Sequence, residues 1–286
     1  VRRGGVALVC FKAPFAHNVG VWRAANMLVF ALRSALLVRR LRLQPGRDLV
    51  LTSSTGGFDC VAGLMARARG TSWVAEIRDV WPDAPRQLRP GLRTYGLLGL
   101  SGLAHRLTYR FATAFLSPLA HLVDRIDQSS GLRGRRVLHL PNCASAPPTT
   151  SATSVRSRPI VSPEGRAVLQ SLASLRRQSP VVIGYFGSMN AANGVGRLVD
   201  LVARLDPAEA SAVFVGRGDL PDAARGPGGQ PPNLRCHPAV PPDECRELMR
   251  QVDVLIFGIS PLPVYRYGLS PIKLAEYLAA GKPVFY

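Results

Sequence analysis

The 286-residue sequence predicts an α/β fold of two parallel-sheet domains facing a cleft, and three observations carry that expectation. Short runs of Val, Leu, Ile and Phe alternate with helical stretches along the chain, the order that builds parallel sheets. Several of these runs end in glycine turns: LVLT before SSTGG, VVIGYF before Gly187-Ser188, and AVFV before Gly216-Arg217-Gly218. Residues 144–162 are rich in Ala, Ser, Thr and Pro without periodicity and read as a linker. The expected division is a first domain at 1–143, the linker at 144–162 and a second domain at 163–286.

In chain order, Val6–Phe11 is an apolar run expected as a strand. A long helix is expected from about Val21 to Leu43, apolar through Met27–Leu32 and Ala35–Val38 and carrying Arg23, Arg33, Arg39, Arg40 and Arg42. It is either an amphipathic helix lying on an anionic membrane or a core helix whose arginines face solvent. Asp48–Thr52, the SSTGG turn and a helix over Asp59–Arg69 form a βα unit. The strand Ser72–Ile77 runs into Arg78-Asp79-Val80-Trp81-Pro82, which puts charged residues at a carboxyl strand end, where open α/β sheets bind ligands. Arg78 and Asp79 are therefore catalytic candidates, with a structural ion pair as the alternative, while Trp81 reads as a packing residue. Helices over Leu92–Phe111 and Pro118–Ile126 and strands over Thr113–Leu116 and Arg136–Leu140 complete the first half. Strands over Val181–Phe186, Ala212–Val215, Asn233–Cys236 and Val252–Phe257 and helices over Gly194–Leu205 and Asp243–Gln251 follow in the second.

The most informative stretch is Tyr265–Val284, YRYGLSPIKLAEYLAAGKPV. Ser270-Pro271 reads as a helix start, with a capping hydroxyl and a proline whose missing N–H is harmless in the first turn. Preceded by Gly268, that N-terminus would suit a phosphate. Lys273 and Glu276 share one face about a turn further on. Phosphate site, cation and carboxylate together fit a nucleoside diphosphate, and a surface Lys–Glu pair is the alternative. Ile272, Leu274, Tyr277 and Leu278 are expected to hold the helix on the core, Gly281 to end it, and Pro283–Tyr286 to begin a buried strand.

The formal charge is +18, and it is unevenly spread. Residues 1–158 hold 23 Lys+Arg against 7 Asp+Glu, a formal +16, while residues 159–286 hold 13 against 11, a formal +2. A basic first half invites an anionic membrane surface or a lipid-diphosphate acceptor, and the scarcity of interleaved aromatics argues against nucleic acid. The five scattered cysteines contain no CxxC pair, which argues against zinc and a disulfide scaffold and fits a reducing cytoplasm. No apolar run is long enough to span a bilayer, and the histidines show no metal-ligand spacing. The chain opens on Val1 and stops within an apparent strand at Tyr286, so a fragment is expected.

At these residues the chain resembles glycosyltransferase family 4, the retaining GT-B enzymes, and within it the bacterial branch that builds O-antigen and capsular polysaccharide. AEIRDVWPD resembles that branch's E-x-R-D-L-W-P signature, LPN its domain-closing I-P-N, and VIGYFGSMNAANGV the opening of its second domain. VFVGRGDL resembles the V-G-x-G turn and YGLSPIKLAEYLAAGKPV the donor-binding helix. The resemblance implies a GT-B fold of two Rossmann-like domains, with at least one βα unit of roughly 30 residues before Val6 and further elements after Tyr286. It implies hexosyl or N-acetylhexosaminyl transfer from a nucleotide-sugar donor, most simply a UDP-sugar, to a lipid-linked or glycan acceptor. No cofactor or metal is expected, and the location would be cytoplasmic, peripheral at the inner face of the plasma membrane.

The resemblance also assigns residues. Glu276 matches the second glutamate of the family's E-x7-E motif, which binds the donor ribose. The first glutamate falls at Gly268, and backbone amides of Gly268, Leu269 and Ser270 are the expected substitutes. The diphosphate-gripping Arg and Lys are missing from the turn at Gly187-Ser188, so Lys273 is the expected replacement. Gly187, Ser188 and Gly216 complete the donor-binding set, and Arg78, Asp79 and Lys273 are the catalytic candidates. A non-catalytic nucleotide-sugar or membrane-binding module and a GT-B sugar-nucleotide epimerase are the alternatives.

Overall fold

The computed structural model describes residues 2–3, 6–15, 20–53, 56–88, 95–131, 133–144, 159–218 and 231–286. The greater part of the expected linker, residues 145–158, lies outside the described residues, as do Ser54 and Thr55 of the first glycine turn. The chain divides into two compact units: Val1–Pro141 with Leu262–Leu269, and Asn142–Pro261 with Ser270–Tyr286. The expected bounds had put Leu262–Leu269 in the second domain, but the contacts of this segment are with the first unit.

In the first unit a two-residue antiparallel pair, β1 (Arg2–Arg3) with β2 (Val6–Ala7), precedes helix α1 (Gly20–Arg40). Four parallel strands then lie side by side in chain order: β3 (Leu49–Ser53), β4 (Ser72–Glu76), β5 (Ala114–Ser117) and β6 (Val137–His139). The expected strand Val6–Phe11 is reduced to β2, which pairs with β1 and does not join this sheet. Helices α2 (Cys60–Ala68), α3 (Asp83–Leu88), α4 (Tyr95–Phe111) and α5 (Leu122–Ser130) connect the strands. α5 starts four residues later than its sequence implied, because Pro118–His121 make a turn at the end of β5 rather than the first helical turn.

The centre of this unit is Trp73, fully buried, whose Nε1 donates to Thr52 Oγ1 at 2.9 Å on the neighbouring strand. α2 can approach this ring because residue 63 is glycine: a Cβ there would stand 1.9 Å from the indole. α1 has the buried face and solvent-facing arginines of a core helix: Ala35 and Val38 pack on Ala62 and Ala66 of α2, Ala31 joins the core cluster of Trp73, and Arg23, Arg33, Arg39 and Arg40 are exposed. Trp22, Phe30, Leu32 and Leu36 are exposed as well.

The second unit is a five-stranded parallel sheet ordered β11-β10-β7-β8-β9. Its elements run α6 (Pro163–Gln178), β7 (Val181–Phe186), α7 (Val195–Ala203), β8 (Ala210–Val215), β9 (Leu234–His237), α8 (Pro242–Arg250), β10 (Val254–Ile256), α9 (Ile272–Ala279) and β11 (Val284–Phe285). α6 was not anticipated from the sequence. Its start is well specified: Ser162 Oγ accepts from Gly165 N at 2.9 Å, and the buried Glu244 carboxylate takes Ser162 N at 3.0 Å and Val161 N at 3.1 Å. α7 covers one sheet face against Tyr185, Phe214 and Leu234, while α6, α8 and α9 cover the other against Val182, Phe186 and Val213. Burial on both faces explains the continuous apolar strands. Where a buried strand was expected, β11 pairs among the described residues with β10, with Val284 packed on the core and Phe285 59% exposed.

Candidate functional site

In the second unit the chain leaves β7 toward β8 and β9, then returns to the other side of β7 as β10. The carboxyl ends of β7 and β10 are therefore a topological switch point, where adjacent connections diverge and leave a crevice for a ligand. Three devices shape this spot. The turns after β7 and β8 touch backbone to backbone: a Cβ on Gly216 would lie 1.7 Å from the Gly187 carbonyl oxygen. Gly187 N donates to Val215 O at 2.9 Å and Gly216 N to His237 O at 3.0 Å, so both amides are already engaged. What the two glycines supply is the absence of side chains over the strand ends. Ser188 is exposed, and its carbonyl accepts from Tyr185 Oη at 2.7 Å and Asn193 Nδ2 at 2.8 Å.

The second device is α9. Tyr277, fully buried, pins it to β7 by accepting from Phe186 N at 2.7 Å and donating to Phe186 O at 3.0 Å. Ile272 and Leu278 were expected on the core, but they are 46% and 64% exposed; the tyrosine carries the packing instead. Ser270 does not cap the helix. Its hydroxyl accepts from Asn142 N at 2.8 Å, Pro271 holds the cap position, Leu274 N donates to Pro271 O at 3.1 Å, and no side chain caps the amides of Ile272 and Lys273. Gly281 follows the helix with φ +70°, the left-handed conformation its sequence implied.

The third device is Lys273. Its Nζ donates to Tyr185 Oη at 2.8 Å, stands 4.4 Å from the centre of the Tyr185 ring, and its stem lies over Gly187, where a Cβ would meet Cε at 2.4 Å. The glycine turn and the lysine were read from separate stretches, and the fold stacks one on the other. Desolvation pulls the ammonium from its ordinary 10.5 to about 8. The same burial pushes the Tyr185 hydroxyl far up, so it stays protonated. Glu276 is half-buried one turn further along α9.

Gly268 and Leu269 belong to the first unit, unlike Ser270. Gly268 has φ +113°, and a Cβ there would stand 2.6 Å from Ala120 N. The segment before it is fixed by His121 N donating to Tyr267 O at 2.9 Å and Val264 N to Gln87 Oε1 at 2.9 Å. The position where the resemblance expects a glutamate thus has a backbone that excludes one.

Also in the first unit, Arg78 and Asp79 follow β4 and are exposed. Among the described residues they do not close into a hydrogen-bonded ion pair with each other. Desolvation pushes the Asp79 carboxyl up, with the Arg78 guanidinium pulling the other way. Arg78 lines a cavity of about 540 Å³ whose wall is largely apolar, including Phe11, Met27, Phe30 and Phe58, with Lys12 and Arg33 beside it. The sequence did not single out Lys12 and named Arg33 only among the arginines of the long helix; packing of the 11–15 segment against α1 brings both to Arg78, with Arg33 Nη1 donating to Lys12 O at 2.6 Å. Among the described residues no group of three or more His, Cys, Asp or Glu is arranged to hold a metal ion, and no helix is long and apolar enough to cross a membrane.

With this geometry in hand, residues 180–285 match the family model described as Glycosyl transferases group 1, somewhat over a third of the chain. The two parallel Rossmann-like sheets are those of a GT-B architecture, and the matched residues span the second of them. Among solved structures the chain is similar to Anabaena Alr3699/HepE in complex with UDP-glucose, at 16% identity over 93% of this chain and 64% of that one, with a TM-score of 0.54. The same protein with UDP and glucose gives a TM-score of 0.53 at 16% identity, over 91% of this chain and 62% of that one. WaaG, a glycosyltransferase involved in lipopolysaccharide biosynthesis, gives 0.52 at 16% identity, over 93% of this chain and 76% of that one. The likeness is one of fold, and the chain spans less than two thirds of the length of the Anabaena protein. No curated protein matches the chain.

Proposed function

We propose that the protein is a glycosyltransferase of family 4 that moves a sugar, with retention, from a UDP-linked donor to a lipid-linked or polysaccharide-precursor acceptor in cell-surface glycan synthesis. The observation that carries this reading is Lys273 lying over the Gly187 turn at the switch point of the second sheet, beside the N-terminus of α9. A diphosphate there would meet an ammonium and first-turn helix amides together. In this reading Glu276 takes the donor ribose hydroxyls, while Gly187, Ser188 and Gly216 leave room for the phosphates and Ser270 stands at the helix start. Gly268 and Leu269 contribute through backbone alone.

Departure of the nucleoside diphosphate leaves an oxocarbenium-like sugar, and charge builds on the leaving phosphate oxygens. Lys273 and the α9 amides are the groups that would stabilise that charge. Arg78 and Asp79 serve the acceptor: the apolar cavity beside Arg78, Lys12 and Arg33 suits a substrate with a lipid portion and an anionic head. The exposed Trp22, Phe30, Leu32 and Leu36 of α1, with Arg23, Arg33, Arg39 and Arg40, support peripheral contact with an anionic membrane. No step requires a metal or cofactor.

Calorimetric titration of UDP, GDP and their sugar derivatives, with Glu276→Ala as control, tests the donor half. Binding of one nucleotide that is lost in the variant supports the reading, and binding of none by a folded protein overturns it. Transfer from a labelled donor separates an enzyme from a module that binds without turnover.

A further inference from the structure

The bond between Lys273 and Tyr185 joins the two helical layers of the second sheet. The Tyr185 ring is fully buried on the face that α7 covers, its centre 5.2 Å from that of Phe214. α9 lies on the opposite face, where Tyr277 holds it to Phe186. The lysine stem therefore crosses the end of β7, over Gly187, to reach a hydroxyl on the far side. A side chain at position 187 would stand in that path. Burial keeps the tyrosine protonated, so its one proton goes to Ser188 O at 2.7 Å while its oxygen accepts from Nζ at 2.8 Å. Ser188 O also takes Asn193 Nδ2 at 2.8 Å, which draws in the one-turn helix Ala191–Asn193 that leads to α7. Among the described residues no carboxylate pairs with Lys273. The titratable groups around this cluster are Glu276 on the same helix, Tyr277, and Cys245 of α8, and burial is what draws Lys273 down to about 8.

We propose that Tyr185 is a positioning residue for the donor diphosphate: its hydroxyl holds the Lys273 ammonium over the end of β7 and fixes the Ser188 turn beside it. The inference rests on the nucleotide-sugar reading of this site and adds to it a residue that acts only through another, since the tyrosine exposes no surface to a ligand. A free lysine has four rotatable side-chain bonds, and ordering them on a ligand opposes binding. The bond to Tyr185 orders them beforehand. It uses one of three ammonium protons and leaves two for phosphate oxygens. The ring face, 4.4 Å from Nζ, and the hydroxyl oxygen both favour the charged form, and so oppose the effect of burial.

The chain holds three lysines, Lys12, Lys273 and Lys282, so lysine labelled with carbon-13 at Cε gives three NMR signals. The signal absent from Lys273→Met is that of Lys273. Its titration is followed without nucleotide in the parent, in Tyr185→Phe and in Asn193→Ala, and UDP and inorganic pyrophosphate are then titrated by calorimetry at pH 7. Tyr185→Phe should fold, because the ring keeps its packing on Phe214 and Ser188 O keeps Asn193 Nδ2. It should lower the Lys273 midpoint by about one pH unit and weaken both ligands roughly five- to tenfold, since the ammonium loses its acceptor. Asn193→Ala removes the other donor to Ser188 O and should leave the midpoint at the parent value. An unchanged or raised midpoint in Tyr185→Phe, an equal fall in Asn193→Ala, or parent affinity for both ligands in Tyr185→Phe would each overturn the positioning role while the parent still binds UDP. Binding of neither ligand by the folded parent would instead overturn the donor reading, and the role of Tyr185 with it.

Discussion

Replacing Lys273 by methionine keeps most of the stem's packing on Tyr185 and Gly187 while removing the charge at the switch point. An ammonium hydrogen-bonded to a phosphate contributes about 1.5–3 kcal/mol, so affinity for a nucleoside diphosphate should fall roughly 10- to 150-fold. Stability should move the other way or stay level. Burial pulls the folded-state value from 10.5 to about 8. The charged form is therefore disfavoured in the fold at neutral pH, and the parent gains stability as pH rises from about 8 toward 10.5. The variant has no such group and lacks that gain. The same lysine predicts a pH profile for binding. Affinity should be level between pH 7 and about 8 and then fall by up to tenfold per pH unit as the free protein loses its ammonium. Measuring above pH 7 keeps ionisation of the terminal phosphate, near 6, out of the profile. Calorimetry with UDP across this range, paired with thermal denaturation, checks both. Parent-like affinity in the variant, or an affinity that does not change through pH 8, refutes the assignment of Lys273 to the phosphates.

Further outcomes follow from the same contacts. Glu276→Gln should weaken UDP binding about tenfold and leave pyrophosphate binding unchanged, because its assigned partner is the ribose; titrating both ligands separates the two. Tyr277→Phe strips a hydroxyl that both donates to and accepts from Phe186, and chemical denaturation should show a loss of about 1–3 kcal/mol. Gly216→Ala puts a Cβ 1.7 Å from a backbone oxygen, so the two turns must part; denaturation should register a loss of about 2 kcal/mol or more, together with weaker UDP binding. Arg78→Ala should raise the acceptor KM with donor affinity unchanged, seen by steady-state kinetics beside calorimetry.

Much of the second sheet was legible because its strands are buried on both faces and end in glycine turns, as Val181–Phe186 before Gly187 illustrates. Helix α9 was legible from its pattern and from Gly281, yet its contacts were not. Ser270 had the chemistry of a cap, but its hydroxyl is taken by Asn142, 128 residues away in sequence. Leu278 had the spacing of a core residue, but the tyrosine before it makes the backbone pair that sets the helix's rotation. α6 escaped because its start depends on Glu244, more than 80 residues downstream.

By itself the sequence determined the alternation of strands and helices, the glycine turns, the basic first half and the pattern of helix α9. These depend on local conformational preference and on periodic burial, which neighbouring residues dictate. The tertiary structure alone decided that β10 returns beside β7, that Lys273 therefore lies on the Gly187 turn, and that Leu262–Leu269 packs in the first unit. Those outcomes depend on strand order and on backbone contacts between distant segments, and a hydrogen bond or a steric limit of that kind leaves no periodic trace along the chain.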